Sequence, residues 1–127
     1  MTKVIGYIRV STEQQAEQGV SLDEQRNKLI QYASLYDLEL VRIEVDTLSG
    51  KTIERVGLQN ALQAIGSGEA EGLLVAKLDR LTRSVRDLGE MIDQYFQTAA
   101  LLSVSEQIDT RSAGGRLVLN VLASVSQ

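Results

Sequence analysis

Residues 4–11 have the sequence VIGYIRVS, an apolar run that ends in an arginine and a serine. The run predicts a β-strand over about residues 3–9, with Arg9 and Ser11 at its end. A serine hydroxyl is a poor nucleophile at neutral pH, which leaves two interpretations of Ser11. It either caps a loop, or its hydroxyl is held against a phosphate whose charge Arg9 offsets.

Further strands are predicted along the chain from their apolar and β-branched residues, at 38–45, 72–76 and 100–104. Helices alternate with them. One is predicted to begin at Ser21, which stands three residues before Glu24 as in a capping box, and others cover 56–65 and 117–125. A single amphipathic helix is predicted from apolar residues at three- and four-residue steps: Leu78, Leu81, Val85, Leu88 and Ile92.

This alternation predicts one α/β domain over residues 1–127, with a mostly parallel four- to five-stranded sheet flanked by helices. The C-terminal helix is apolar on most sides and reaches Gln127 without a stop signal. We therefore expect a helix that is truncated or a surface that a partner covers, and the alternative is a core helix of a complete domain.

The composition restricts the chemistry that the chain can perform. It has no cysteine and no histidine, which excludes thiolate catalysis, disulfides and the commonest general base. Any reaction must use hydroxyls, carboxylates, arginine and lysine, and we expect no metal or other cofactor. No apolar run approaches the ~20 residues of a membrane span, and no signal peptide is evident, so we expect a cytoplasmic protein without a membrane partner.

The charge distribution is uneven. The net charge is −4, which argues mildly against a free-standing nucleic-acid binder. Residues 77–86 nevertheless carry four cations and one anion. This local basic segment in an acidic chain needs an explanation.

Several polar residues follow the ends of predicted parallel strands, where ligands bind in α/β folds. They are Arg9 and Ser11, then Ser49 and Arg55, then Asp79, Arg80 and Arg83. We expect Arg80 and Arg83 on one helix face, although Asp79 and Arg83 could also form an ordinary i,i+4 pair. Four clustered guanidiniums repel one another unless an anion lies among them, and arginine suits bidentate phosphate recognition. The residues thus predict a phosphate site with a serine nucleophile and arginines that stabilise the transition state.

The same motifs resemble the catalytic domain of serine site-specific recombinases, which include resolvases, invertases, transposon recombinases and phage integrases. The resemblance covers nearly the whole chain and rests on YIRVST at 7–12, SLDEQ at 21–25, Asp46 with Ser49-Gly50, Glu54-Arg55, and LDRLTRS at 78–84. It implies a resolvase-like catalytic fold with a C-terminal oligomerisation helix.

The resemblance also implies a mechanism. Ser11 would attack a DNA phosphodiester, form a 5′-phosphoserine link and free a 3′-hydroxyl, without ATP or metal. Arg9, Arg80 and Arg83 would grip the scissile phosphate, Arg55 would join them from a mobile loop, and Asp79 would be their acidic partner. Supporting or positioning roles fall to Tyr7, Gln15, Gln25 and Ser49. The acceptor of the Ser11 proton stays open among Asp79, an arginine of unusual pKa and a phosphate oxygen.

The resemblance has departures and rivals. Residues 13–20 form a longer segment than in small resolvases, which favours large serine recombinases or transposon-type members, and Val56 stands where proline is common. The family's long helix continues towards a DNA-binding domain, so we expect residues 1–127 to be a fragment. Its expected partners are double-stranded DNA, a homodimer and a synaptic tetramer. The alternatives are a non-catalytic phosphate-binding or regulatory α/β module and an inactive relative.

Overall fold

The computed structural model describes residues 1–11, 21–48 and 55–125, with only the backbone for Ser11 and Leu48. Its strands are β1 Thr2–Ser11, β2 Leu38–Leu48, β3 Gly72–Val75, β4 Ala100–Ser103 and β5 Ile108–Asp109. They form one sheet in the order β2-β1-β3-β4-β5, in which all neighbours are parallel except the antiparallel pair β4 and β5. The predicted α/β class with a mostly parallel sheet is confirmed.

Helices cover both faces of this sheet. Their bounds are α1 Leu22–Leu35, α2 Val56–Gly66, α3 Leu78–Leu81, α4 Val85–Gln94 and α5 Ala113–Val125. On one face, Leu29 and Ala33 of α1 pack in a core with Val4 and Ile8 of β1. On the other, α2, α4 and α5 pack in a core that contains Tyr7. Strand β1 is therefore buried on both sides, which explains its nearly continuous apolar sequence.

The single helix predicted from Leu78 to Ile92 is wrong, because the structure divides it into α3 and α4. Thr82 has extended backbone angles of φ −164° and ψ 152°. Its hydroxyl accepts a hydrogen bond from Ser84 N at 3.1 Å, and the Ser84 hydroxyl accepts one from Asp87 N at 3.2 Å as the cap of α4. Hydroxyl side chains that bond to nearby backbone amides compete with a continuous helix. The apolar residues still face the core, because Leu81 before the break and Ile92 after it are both buried.

Strand β2 is longer than predicted. It extends to Leu48, so Asp46 is a buried strand residue rather than part of a polar loop. The rest of that predicted loop, residues 49–52, lies outside the described residues. Strand β5 was not predicted, since two residues are too short to show a pattern.

The C-terminal helix begins at Ala113, earlier than predicted. Ser112 stands just before it, and its hydroxyl accepts a hydrogen bond from Gly115 N at 3.0 Å. Its apolar residues include both buried and exposed side chains. Leu119 is fully buried, whereas Leu117 is 64% exposed and Val121 is 53% exposed.

Candidate active site

The carboxyl ends of β1, β2 and β3 meet at one edge of the sheet because the three strands are parallel neighbours. Arg9 pairs in register with Asp46, and Ser11, the last residue of β1, pairs with Leu48. Strand β3 ends at Val75, three residues before α3 begins. The predicted convergence of these strand ends is therefore present in the backbone.

The short helix α3 holds two arginines through its backbone carbonyls. Arg9 Nη2 donates to Asp79 O, and Arg55 Nη2 donates to Arg80 O at 2.9 Å. The Arg80 side chain is 12% exposed. A guanidinium has five N–H donors, so these contacts orient Arg9 and Arg55 and leave donors for a ligand.

Tyr7 links β1 to Arg55, the residue before α2. Its hydroxyl donates to Asp46 Oδ2 at 2.7 Å and accepts from Arg55 Nε at 3.2 Å and Nη2 at 3.1 Å. The Arg55 guanidinium carbon also lies 5.3 Å from the centre of the Tyr7 ring. Burial, followed by the bond to Asp46, raises the Tyr7 pKa well above its usual value, although Arg55 acts in the opposite direction. The hydroxyl therefore stays protonated and able to donate.

Asp46 joins this network to the start of α2. Its Oδ1 accepts from Gly57 N at 2.7 Å, and its Oδ2 accepts from Leu58 N at 3.0 Å. The N-cap residue of α2, Arg55, makes no side-chain cap bond, so the carboxylate supplies the cap from β2. A Cβ atom on Gly57 would lie 2.9 Å from Asp46 Oδ1 and 3.0 Å from Val45 O, so this close approach requires glycine.

Asp46 is the residue of this network that the sequence did not single out. It was noted only as part of a motif and was expected in a loop. The available signal was an acid that directly follows the predicted strand 38–45 and stands ten residues before a helix with no capping side chain of its own. Its role became evident only when β2 extended far enough to bring the carboxylate to α2.

Arg9, Arg55, Arg80 and Arg83 are here called the arginine cluster, because the charges of the other three act on the Arg9 guanidinium. Burial lowers the pKa of Arg9, and the charges of Arg55, Arg83 and Arg80 lower it further. Like charges at this range destabilise one another in the absence of an anion. The structure thus brings the charges of Arg55, Arg80 and Arg83 close to Arg9, and a bound phosphate would offset this repulsion.

The structural elements that carry Arg80 and Arg83 differ from the prediction. Arg80 lies on α3, whereas Arg83 lies in the non-helical segment before α4, so the shared helix face is wrong. The ion pair of Asp79 with Arg83 is also absent. Asp79 Oδ1 lies 3.6 Å from Arg80 Nε, and its Oδ2 lies 3.9 Å from Lys77 Nζ.

Other predicted site residues have different outcomes. Gln25 is fully buried on α1, and its Nε2 donates to Arg9 O at 3.2 Å, which ties α1 to the end of β1. Gln15 and Ser49 lie outside the described residues, as does the side chain of Ser11. Among the described residues, no group of three or more acidic side chains is placed to hold a metal ion, and no helix is long and apolar enough to cross a membrane.

Comparison with known proteins agrees with this geometry. The family model described as "Resolvase, N terminal domain" matches residues 4–127. The chain is 39% identical over 124 residues to DNA-invertase hin of Salmonella typhimurium, and 34% identical over 125 residues to serine recombinase gin of Escherichia phage Mu. These alignments cover 97% and 98% of this chain. The chain spans 58% of the length of each of these two curated relatives.

A solved structure gives the same result for the fold. The N-terminal catalytic domain of TP901-1 integrase superposes with a TM-score of 0.86 at 38% identity. The match covers 98% of this chain and 93% of that domain. The likeness therefore includes the whole arrangement of sheet and helices that places the arginine cluster.

Proposed function

Because this chain belongs to the resolvase N-terminal domain family, we propose that residues 1–127 form the catalytic domain of a serine site-specific recombinase, which cleaves and rejoins DNA. The observation that carries this proposal is the arginine cluster at the sheet edge where β1 ends in Ser11. Close relatives are a DNA-invertase and a serine recombinase by name, and a catalytic domain of an integrase has the same fold.

The proposed reaction is a transesterification. The Ser11 Oγ attacks the phosphorus of a DNA phosphodiester, so that an Oγ–P bond forms and the P–O3′ bond breaks. The serine loses its proton and the departing 3′-oxygen gains one, which leaves a 5′-phosphoserine and a free 3′-hydroxyl. One ester replaces another, so the reverse attack by a 3′-hydroxyl rejoins DNA without ATP or a metal ion.

The arginine cluster stabilises the charge that develops on the phosphoryl oxygens in the transition state. Two of its members are held before DNA arrives, because Arg9 and Arg55 are bonded to carbonyls of α3. Donors that are already oriented need little reorganisation when charge develops on the phosphate. The mutual repulsion in the cluster is relieved by the same phosphate, which favours binding of the anion.

Asp79 is the acidic residue that we propose exchanges a proton during these steps. Its Oδ1 is buried and accepts no hydrogen bond from any residue that the structure describes. It lies 3.6 Å from Arg80 Nε, so it is held beside the arginine cluster. We assign Asp79 to proton exchange with Ser11 or with the leaving 3′-oxygen, and we assign Tyr7, Gln15, Gln25 and Ser49 to positioning roles.

We also propose that the protein acts as a homodimer and as a synaptic tetramer on double-stranded DNA. Helix α5 exposes Leu117, Val118, Val121 and Val125, a row of apolar side chains that a second copy could cover. Action on bacterial or phage DNA requires a cytoplasmic location, which we propose as well.

A suicide DNA substrate tests the proposed function. The full-length protein is incubated with DNA that carries a nick beside the cleavage position, so that a short fragment escapes and religation is prevented. We expect a covalent protein–DNA band in denaturing gels from the wild type and none from Ser11→Ala. DNA binding without any covalent band would instead support the non-catalytic phosphate-binding module.

A further inference from the structure

Helix α3 is the element on which the candidate site depends, and it is only four residues long. Its carbonyls hold Arg9 and Arg55, and it carries Asp79 and Arg80. A single turn of helix has little stability of its own, because its amides lack partners within the helix. Its N-cap residue, Lys77, makes no side-chain cap bond. Something outside α3 must therefore hold it in place.

Glu106 supplies that contact from the turn between β4 and β5. Its two carboxylate oxygens accept from Leu78 N at 3.2 Å and 3.3 Å, at the first residue of α3. The buried hydroxyl of Ser103, at the end of β4, donates to the same carboxylate. A carboxylate at the start of a helix both satisfies a free amide and opposes the helix dipole.

The turn that carries Glu106 is itself fixed to the end of β3. Val104 N donates to Val75 O and Ser105 N donates to Ala76 O, each at 3.0 Å. Gln107 has a positive φ of 57° and its N–H donates to Val104 O, which closes the turn. The carboxylate is thus presented to α3 from a rigid base rather than from a free loop.

We infer that Glu106 is a positioning residue for catalysis, because it holds α3 where its carbonyls orient Arg9 and Arg55 and where Asp79 and Arg80 face the phosphate. Glu106 touches none of the reacting atoms and acts only through α3. The inference rests on the proposed function for its catalytic consequence, but the contact between Glu106 and α3 can be tested without DNA.

The first experiment measures α3 directly. Hydrogen exchange is followed by mass spectrometry in a peptide that covers residues 77–84, in the full-length protein without DNA. Glu106→Ala should speed exchange in this peptide by about fivefold, the factor that corresponds to loss of a helix-cap bond of ~1 kcal/mol. Glu106→Gln keeps an acceptor oxygen and should exchange close to the wild-type rate.

The second experiment measures catalysis with the suicide substrate at saturating DNA. Glu106→Ala should form covalent adduct about five- to tenfold more slowly, while Glu106→Gln restores most of the rate. Both variants lose the same charge, so their comparison separates the hydrogen bond from any electrostatic effect on DNA. The affinity for DNA should be equal in the two variants.

Glu71→Ala is the matched control. Glu71 also accepts a hydrogen bond from a backbone amide, Lys3 N at 2.9 Å, but it precedes β3 at the opposite end of the sheet. It should leave the adduct rate and the exchange of 77–84 unchanged. Equal adduct rates for Glu106→Ala and the wild type, or equal losses for Glu106→Ala and Glu106→Gln, would overturn the inference. A wild type that forms no adduct contradicts the proposed function instead, and the exchange result then still decides whether Glu106 holds α3.

Discussion

Asp46→Asn tests the hydrogen bonds that join Asp46 to Tyr7 and to the start of α2. The native carboxylate is 6% exposed and accepts three hydrogen bonds, from Tyr7 Oη, Gly57 N and Leu58 N. Asparagine has the same shape but only one acceptor oxygen. In either orientation its amide group faces a backbone N–H of α2, which then loses its partner.

The expected cost follows from these contacts. A buried donor without a partner costs about 1–3 kcal/mol, and the remaining bonds lose the strength that a charged acceptor gives them. We expect the free energy of unfolding to fall by about 3 kcal/mol, which corresponds to a drop of about 10 °C in Tm for a domain of this size. Urea and thermal unfolding monitored by circular dichroism measure both quantities.

Asp93→Asn is the control for this prediction, because Asp93 is an exposed residue of α4 and the chemical change is identical. It should change the free energy of unfolding by less than about 0.5 kcal/mol. A loss below about 1 kcal/mol for Asp46→Asn would refute the claim that this carboxylate holds the start of α2.

Three further predictions concern pH, packing and DNA. Burial raises the Tyr7 pKa in the folded state above the value of 10.0 expected when unfolded. Above pH ~10 only the unfolded state loses this proton, so the free energy of unfolding measured with urea should fall as pH rises, and less steeply for Tyr7→Phe. Equal slopes against pH for the two proteins would contradict this. Gly115→Ala should lower the free energy of unfolding by about 3 kcal/mol or more, because its Cβ would lie 2.0 Å from Asp109 O. At Gly114 an added Cβ meets nothing within 4 Å, so Gly114→Ala should not destabilise the protein. Similar Tm values for the two variants would contradict this placement of α5. Residues 1–127, with a net charge of −4, should bind DNA with a Kd weaker than about 1 µM and without sequence preference, and tight site-specific binding in fluorescence anisotropy would refute this.

The sequence predicted the fold well where the apolar pattern of a segment identifies it as a strand or a helix. Strand β3 was evident from its continuous apolar run, and α1 from Ser21, whose hydroxyl accepts from Glu24 N at 3.1 Å as a capping box requires. Parallel neighbours then followed from the alternation of strands and helices. This was enough to bring Arg9, Arg55 and α3 to one edge.

The features that the sequence did not show depend on individual side-chain contacts. The break between α3 and α4 depends on the hydroxyls of Thr82 and Ser84, which the apolar spacing does not register. The burial of Asp46 depends on three donors from two other elements, and the contact of Glu106 with α3 joins residues 28 positions apart. Contacts of this kind become visible only when the packing is known.

Among the hydroxyls of this chain, Ser11 is the one that we propose becomes joined to DNA beside the arginine cluster. The most direct measurement is mass spectrometry of the peptide recovered from the covalent adduct after nuclease and protease digestion. We expect a phosphate ester on Ser11, with the adduct DNA attached through its 5′ end and a free 3′-hydroxyl on the released strand. A link on another residue, or through a 3′-phosphate, would contradict it.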